Sequence, residues 1–190
     1  MKSYALRVEG TQAVLQAVDA PMPEPGPGQV LLKMHAAGLN RGEFIPGGLI
    51  KGSASKPAGI EGAGEIVKLG PAVSGLQLGQ RVMGRCAGAF SEYAVMDVRE
   101  VMPVPAGLSM VEAAAVPLSF LVVHDMLVLQ GRLKAGEWLL VTGVSSGAGV
   151  AALLTAKALG ARVIGTSGSA EKLEKLKALG LDVALNTRAP

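Results

Sequence analysis

A chain of 190 residues with 49% hydrophobic and 17% charged side chains is long enough to bury a core and too apolar to stay disordered. Its net charge of +3 comes from scattered Lys and Arg with no basic block, which argues against a nucleic-acid surface or a membrane-binding patch. The single cysteine, Cys86, excludes an internal disulfide framework, points to a reducing compartment such as the cytoplasm, and is expected to be a small buried hydrophobe.

In chain order, residues 1–20 are predicted as two short strands joined by a turn at Glu9-Gly10, with no signal-peptide core at the start. Pro21, Pro23, Pro25 and Pro27, interleaved with Gly26 and Gly28, make an extended connector before a strand over 29–36. Residues 38–43 read as a polar loop and 46–57 as a longer flexible one. Further strands are predicted over 60–69, 80–83 and 89–96, and so many short strands between glycine turns indicate a compact β-barrel-like domain. Ser109-Met-Val-Glu112 is a capping box, because a Ser and a Glu three apart satisfy each other's terminal amides. Pro117 starts a helix expected to run to about Gln130 and stop at Gly131. The most apolar window, 113–129, is broken by Pro117, His124 and Asp125 and is shorter than the roughly 20 residues a membrane crossing needs.

The stretch Trp138-Leu-Leu-Val-Thr-Gly-Val-Ser-Ser-Gly-Ala-Gly-Val150 carries the strongest functional signal. Leu139, Leu140 and Val141 are predicted as a strand buried on both faces, and Val150, Leu153, Leu154, Ala158 and Leu159 recur at helical spacing up to a left-handed cap at Gly160. Between them, Gly143, Gly147 and Gly149 allow a tight turn close to a ligand, and the helix start offers free amides and partial positive charge, a combination that favours phosphate. A strand over 161–165, a helix over 169–179 with Leu173, Leu176 and Leu179 on one face, and a strand over 181–185 complete a βαβαβ mononucleotide-binding half. Where the second strand ends, an Asp or Glu would select NAD. Here stand Thr166, Ser167 and Gly168, followed by Lys172, so the pocket suits the 2′-phosphate of NADP(H). Lys172 also has a plainer reading, as a solvated helix charge.

Taken together, these blocks resemble the medium-chain dehydrogenase/reductase superfamily, in its zinc-independent, NADPH-dependent quinone oxidoreductase-like branch. The residues that carry the resemblance are Pro25-Gly-Pro-Gly-Gln-Val30, Ala37-Gly-Leu-Asn40, Gly59-Ile-Glu-Gly-Ala-Gly-Glu-Ile66, Leu78-Gly-Gln-Arg-Val82, Gly88-Ala-Phe-Ser-Glu-Tyr-Ala94, Glu112-Ala-Ala-Ala-Val-Pro117 and Leu133-Lys-Ala-Gly-Glu137, spread over nearly the whole chain. The resemblance implies an α/β chain with a GroES-like β-barrel catalytic domain over 1–120. The first half of a Rossmann doubly wound parallel sheet, binding NADP(H), would follow over 121–190. It places Asn40 near the nicotinamide and substrate, with a plain loop-turn role as its other reading. Gly143, Val144, Ser145, Ser146, Gly147, Ala148 and Gly149 would lie under the pyrophosphate, and Ser167, Gly168 and Lys172 at the 2′-phosphate.

Zinc-dependent relatives carry a Cys where this chain has Asn40 and a His where it has Ile60, and its two histidines and one cysteine show no ligand spacing, so no metal is expected; His35 reads as a strand residue. Without zinc, the implied reaction is hydride transfer from NADPH to a quinone or α,β-unsaturated carbonyl, whose conjugation spreads the incoming charge. The chain departs from the family pattern at Val122 (a Thr facing the nicotinamide), His124 (an aromatic), Thr187 (an aromatic near the adenosine), Val144 (a small Ala) and Ile50 (near the usual substrate-loop Tyr). It is also shorter than the family, so a truncated member is expected. In such a member the strand near Leu139 would expose an edge that favours self-association. The competing reading is a non-catalytic, crystallin-like nucleotide binder. A short-chain dehydrogenase reading of the glycine turn fails because four residues after Tyr4 and Tyr93 stand Val8 and Asp97, not Lys.

Overall fold

At the N-terminus β1 (Lys2–Glu9) and β2 (Gln12–Asp19) pair antiparallel around Gly10, whose φ of +61° is the left-handed conformation a tight hairpin turn requires. The computed structural model describes residues 1–45 and 55–188, so most of the loop expected over 46–57, with Ile50, lies outside the described residues. Two units result, Met1–Leu118 and Ser119–Pro190.

In the first unit β1 also takes β4 (Lys56–Pro57) on its other edge, giving the order β2-β1-β4. A second antiparallel sheet contains β3 (Gln29–Ala37), β5 (Glu61–Leu69), β6 (Arg81–Arg85), β7 (Tyr93–Asp97) and β8 (Met102–Pro103), in the order β7-β3-β5-β6-β8. The strands of the expected β-barrel-like domain pair as two sheets, bridged where Ser3 and Ser91 pair, Oγ to Oγ 2.6 Å. Val30, Leu32, Ile66, Val82 and Met96 project from the larger sheet into one fully buried cluster. A register shift between Met34 and Ala36 bends β3 shortly before it delivers Asn40. His35 is an exposed residue of β3, as expected. The capping box opens α1 (Met110–Ala114): Glu112 N donates to Ser109 Oγ at 3.2 Å and Ser109 N to Glu112 Oε2 at 2.9 Å. That cap sets Ala113 and Ala114 against Ala63 and Met83 of the sheet.

The helix predicted over 117–130 is α-helical only as α2 (Pro117–His124). Residues Asp125–Gln130 continue it as a π-helical turn, which ends with Gly131 N donating to Met126 O at 2.9 Å. The second unit then runs β9 (Trp138–Val141), α3 (Gly147–Ala158), β10 (Arg162–Ser167), α4 (Ala170–Lys177) and β11 (Val183–Asn186). Its parallel sheet has the order β11-β10-β9, the expected βαβαβ half. Leu153 and Ala156 of α3, Val163 of β10, and Leu173 and Leu176 of α4 share one core with Val144 and Leu181.

Three local expectations need correction. First, α3 begins at Gly147, so Gly147 and Gly149 belong to its first turn rather than to the turn before it. Second, β9 is not buried on both faces. Trp138 is 50% and Leu140 59% exposed, on the face opposite Leu139 and Val141, which pack against the core. Third, α4 ends at Lys177, and Leu179, beyond its end, is 43% exposed instead of completing the apolar face. Leu153 is fully buried under the parallel sheet, so Leu153→Ala is expected to destabilise this unit by about 2–5 kcal/mol in urea unfolding.

Candidate nucleotide and catalytic sites

Close approach of two backbones builds the glycine turn. A Cβ on Gly149 would stand 2.5 Å from Gly143 O and 2.7 Å from Val144 Cα, so only glycine lets the start of α3 lie against the turn. Gly143 has φ +67°, its N–H donates to Thr166 Oγ1 at 3.2 Å, and Val144 N donates to Thr166 O at 2.9 Å. These bonds tie the turn to the end of β10. Ser146 caps α3 by accepting from Gly149 N at 3.1 Å. The amides of Gly147 and Ala148 then lie in a helical turn that offers them no internal acceptor.

The predicted residues around this turn separate by role. The Val144 side chain is completely buried, so it serves the core, and only the backbone at that position lies in the turn. Its bulk is accommodated because a Cβ on Gly165 would meet Val144 Cγ1 at 2.7 Å, and glycine has none. Ser145 and Ser167 meet, Oγ to Oγ 2.9 Å, and Ser167 also accepts from Ser169 N at 3.3 Å, so its buried hydroxyl is already partly engaged. Lys172 stands exposed in the first turn of α4 and forms no ion pair among the described residues.

Sequence reasoning missed Arg188. A Cβ on Gly168 would be 2.8 Å from Arg188 Nε, which places that side chain across the end of β10. The signal was available in the parallel order, since Ser167 and Asn186 are register partners and the residues after β10 and β11 must emerge side by side. Beside the turn, a cleft of about 260 Å³ is lined by Val122 and Met126 on one side and by Leu140, Thr142, Ser146 and Gly149 on the other. Of the departures from the family pattern, Val122 lines this cleft. His124 and Thr187 are exposed.

Within the first unit, Asn40 caps the 3₁₀ turn Arg41–Phe44 with its backbone, its C=O accepting from Glu43 N at 3.0 Å. Asn40 Nδ2 donates to Glu61 Oε1 at 2.7 Å, and Leu118 N donates to Glu61 Oε2 at 2.7 Å. Neither bond was anticipated from sequence, because 21 and 57 residues separate the partners. Glu43 is buried beside them. Desolvation raises its pKa above the ordinary carboxyl range, the hydrogen bond from Gly59 and the nearby amide groups of Asn40 pull the other way, and the charge of Glu61 adds a smaller upward push. Burial, reinforced by Glu61, pushes the Cys86 thiol up to about 12, so it is a neutral packing group, as its sequence context suggested.

Among the described residues no three His, Cys, Asp or Glu side chains gather, and the undescribed residues include none of these types. Both oxygens of Glu61 already accept protein N–H groups.

Residues 26–106 match the alcohol dehydrogenase GroES-like domain family, and residues 147–189 match the zinc-binding dehydrogenase family. The Escherichia coli quinone oxidoreductase, solved in complex with NADPH, superposes with a TM-score of 0.89 at 30% identity, over 100% of this chain and 60% of that one. The chain belongs to the medium-chain dehydrogenase/reductase superfamily. Its first unit is the GroES-like part of that architecture, and its second holds the Rossmann-type βαβαβ half. The CurK enoyl reductase gives a TM-score of 0.84 at 27% identity, over 97% of this chain and 60% of that chain. The spectinabilin polyketide synthase system protein NorB of Streptomyces orinoci is 39% identical over 178 residues, 91% of this chain and 8% of NorB. The chain thus spans about 60% of the length of these solved superfamily members and a small part of the synthase.

Two outcomes are expected from this geometry. Gly149→Ala forces the Gly143–Val144 turn away from α3 at a cost of about 1–3 kcal/mol, measurable as a lower urea midpoint together with weaker nucleotide binding. Cys86 stays unmodified by a thiol reagent in the native protein at pH 8 and reacts on unfolding; rapid native labelling would contradict its burial.

Proposed function

We propose that this chain binds NADPH through the β9–α3 turn and serves an oxidoreductase that reduces quinones or α,β-unsaturated carbonyls without zinc. The observation that carries the cofactor choice is the end of β10, where Thr166, Ser167 and Gly168 offer no carboxylate and the Arg188 side chain lies against Gly168, with Lys172 exposed in the first turn of α4. An acidic residue there would repel a 2′-phosphate, whereas an ammonium and a guanidinium attract it. The NADPH complex of the E. coli quinone oxidoreductase supports the same choice.

When bound, NADPH supplies the hydride. The chain's own residues do the rest. Gly143 and Gly149 let the backbone approach the pyrophosphate, the Gly147 and Ala148 amides bind it, and Asn40 hydrogen-bonds at the reacting end. A quinone or enone accepts hydride into a conjugated system, so hydrogen-bond donors and positioning substitute for a Lewis acid. The likeness to CurK enoyl reductase supports the enone side of this class and the E. coli relative the quinone side. We place the protein in the cytoplasm on its single buried thiol; no helix among the described residues is long and apolar enough to cross a membrane. Among the described residues β9 has one unpaired edge, a feature that favours self-association, and we keep a homo-oligomer as a proposal; the second reading is a nucleotide-binding chain without turnover.

The test is calorimetric titration with NADPH and NADH, followed by NADPH oxidation with a simple quinone and a simple enone. NADPH is expected to bind at least about tenfold tighter, and Lys172→Ala with Arg188→Ala to remove most of that preference while sparing NADH. Equal affinity for the two cofactors overturns the choice of NADPH. Tight NADPH binding without oxidation selects the non-catalytic reading.

A further inference from the structure

Glu43 and Glu61 are the buried carboxylates among the described residues, each 2% exposed, and the proposed reaction uses neither. Burying a carboxylate is costly unless its oxygens are hydrogen-bonded, so each should show what it is bound to. Glu61 is fully engaged by Asn40 and by Leu118. It occupies space that Gly38 leaves open, since a Cβ there would lie 2.5 Å from Glu61 Oε1. Glu43 accepts from Gly59 N at 3.0 Å through Oε2, while its Oε1 is buried with no hydrogen-bond partner among the described residues. The backbone of Glu43 closes the turn onto Asn40, and Phe44, next along, stacks on Phe90 with ring centroids 6.4 Å apart.

We propose that Glu61 and Glu43 are positioning residues for Asn40, Glu61 fixing the orientation of its carboxamide and Glu43 holding the turn that carries it. An asparagine amide can rotate by half a turn and exchange its oxygen for its NH₂. Facing a carboxylate oxygen, only the NH₂ is tolerated. Asn40 is half-buried, so its oxygen and second amide hydrogen are then presented in one arrangement to whatever binds there. That the bound molecule is a nicotinamide or a conjugated carbonyl rests on the function proposed above.

The two carboxyls differ in what they require. Both Glu61 oxygens accept, and Gln has one acceptor and an NH₂, so Glu61→Gln sets an N–H against either Asn40 or Leu118. Among the described residues Glu43 has one accepting oxygen and no cation partnered to it, so Glu43→Gln reproduces its hydrogen bond to Gly59 and Glu43→Ala does not.

The side-chain amide protons of Asn40 report this directly in the ¹⁵N-labelled full chain, assigned by their loss in Asn40→Ser. In the wild type the Nδ2 pair is expected to be displaced from the positions of solvated asparagines. Its hydrogen exchange should be at least about tenfold slower than in Glu61→Gln, as for loss of a charge-assisted hydrogen bond. Glu43→Gln should leave the pair in place and Glu43→Ala should shift it, with far-UV circular dichroism unchanged in all variants. Should Glu61→Gln not fold, Gly38→Ala displaces the same carboxylate and is expected to release the pair. An Asn40 pair at solvated positions in the wild type, or unmoved when Glu61 is replaced or displaced, overturns the proposal. No cofactor or turnover enters this measurement. A displaced amide pair in a chain that does not bind NADPH would sink the proposed function and leave the positioning role standing.

Discussion

The second unit depends on one missing atom. Because Gly149 has no Cβ, the first turn of α3 lies against the Gly143 carbonyl, and the strand, the turn and the helix start form one continuous surface. From that contact the rest follows. Ser146 reaches back to cap the helix, Thr166 takes the amides of Gly143 and Val144, and the amides of Gly147 and Ala148 remain for an anion. The volume of Val144, unusual at such a turn, is absorbed by a second glycine, Gly165, on the neighbouring strand. Packing of the helix and the shape of the turn are therefore one constraint here. A side chain at Gly149 fills the space in which the two backbones meet.

The first unit is organised around a polar contact instead. Glu61, at the first residue of β5, connects the loop after β3 to the start of α2 by accepting from Asn40 and from Leu118. Two hydrogen bonds offset the desolvation of that carboxylate, while Glu43, with one, sits in a setting that favours its neutral form. Such a pair is poor material for gaining stability, because each carboxylate must first be taken out of water. It is good material for holding a half-buried amide in a single orientation, since an orphaned partner is expensive.

Much of this architecture was legible in the residues. The capping box at Ser109 and Glu112, the order of the βαβαβ half, the left-handed cap at Gly160, whose φ is +77°, and the burial of Cys86 all follow from short-range chemistry. Errors arose where an element's neighbours decide its environment. Leu140 sits in an apolar run and looks doubly buried, yet only the face carrying Leu139 and Val141 packs against the core, and Leu140 on the other is exposed. The helix after Pro117 has continuous helical propensity and still changes to π geometry after His124, which composition does not signal. Even spacing of short strands indicated the barrel-like domain that the GroES-like match bears out, while long-range pairing decided which strand lies beside which.

The candidate sites divide along the same line. The amino-acid sequence by itself determined the glycine spacing, the residues Thr166, Ser167 and Gly168 where a carboxylate could have stood, and the membership of a superfamily, because these are matters of residue type at short separation. Only the tertiary structure decided that Arg188 crosses Gly168, that Ser145 and Ser167 satisfy each other, and that Asn40 is bound by a carboxylate 21 residues away. Hydrogen bonds and steric contacts act over a few ångströms in space, and their partners here are brought together by strand order and by the bend in β3, which no local pattern encodes.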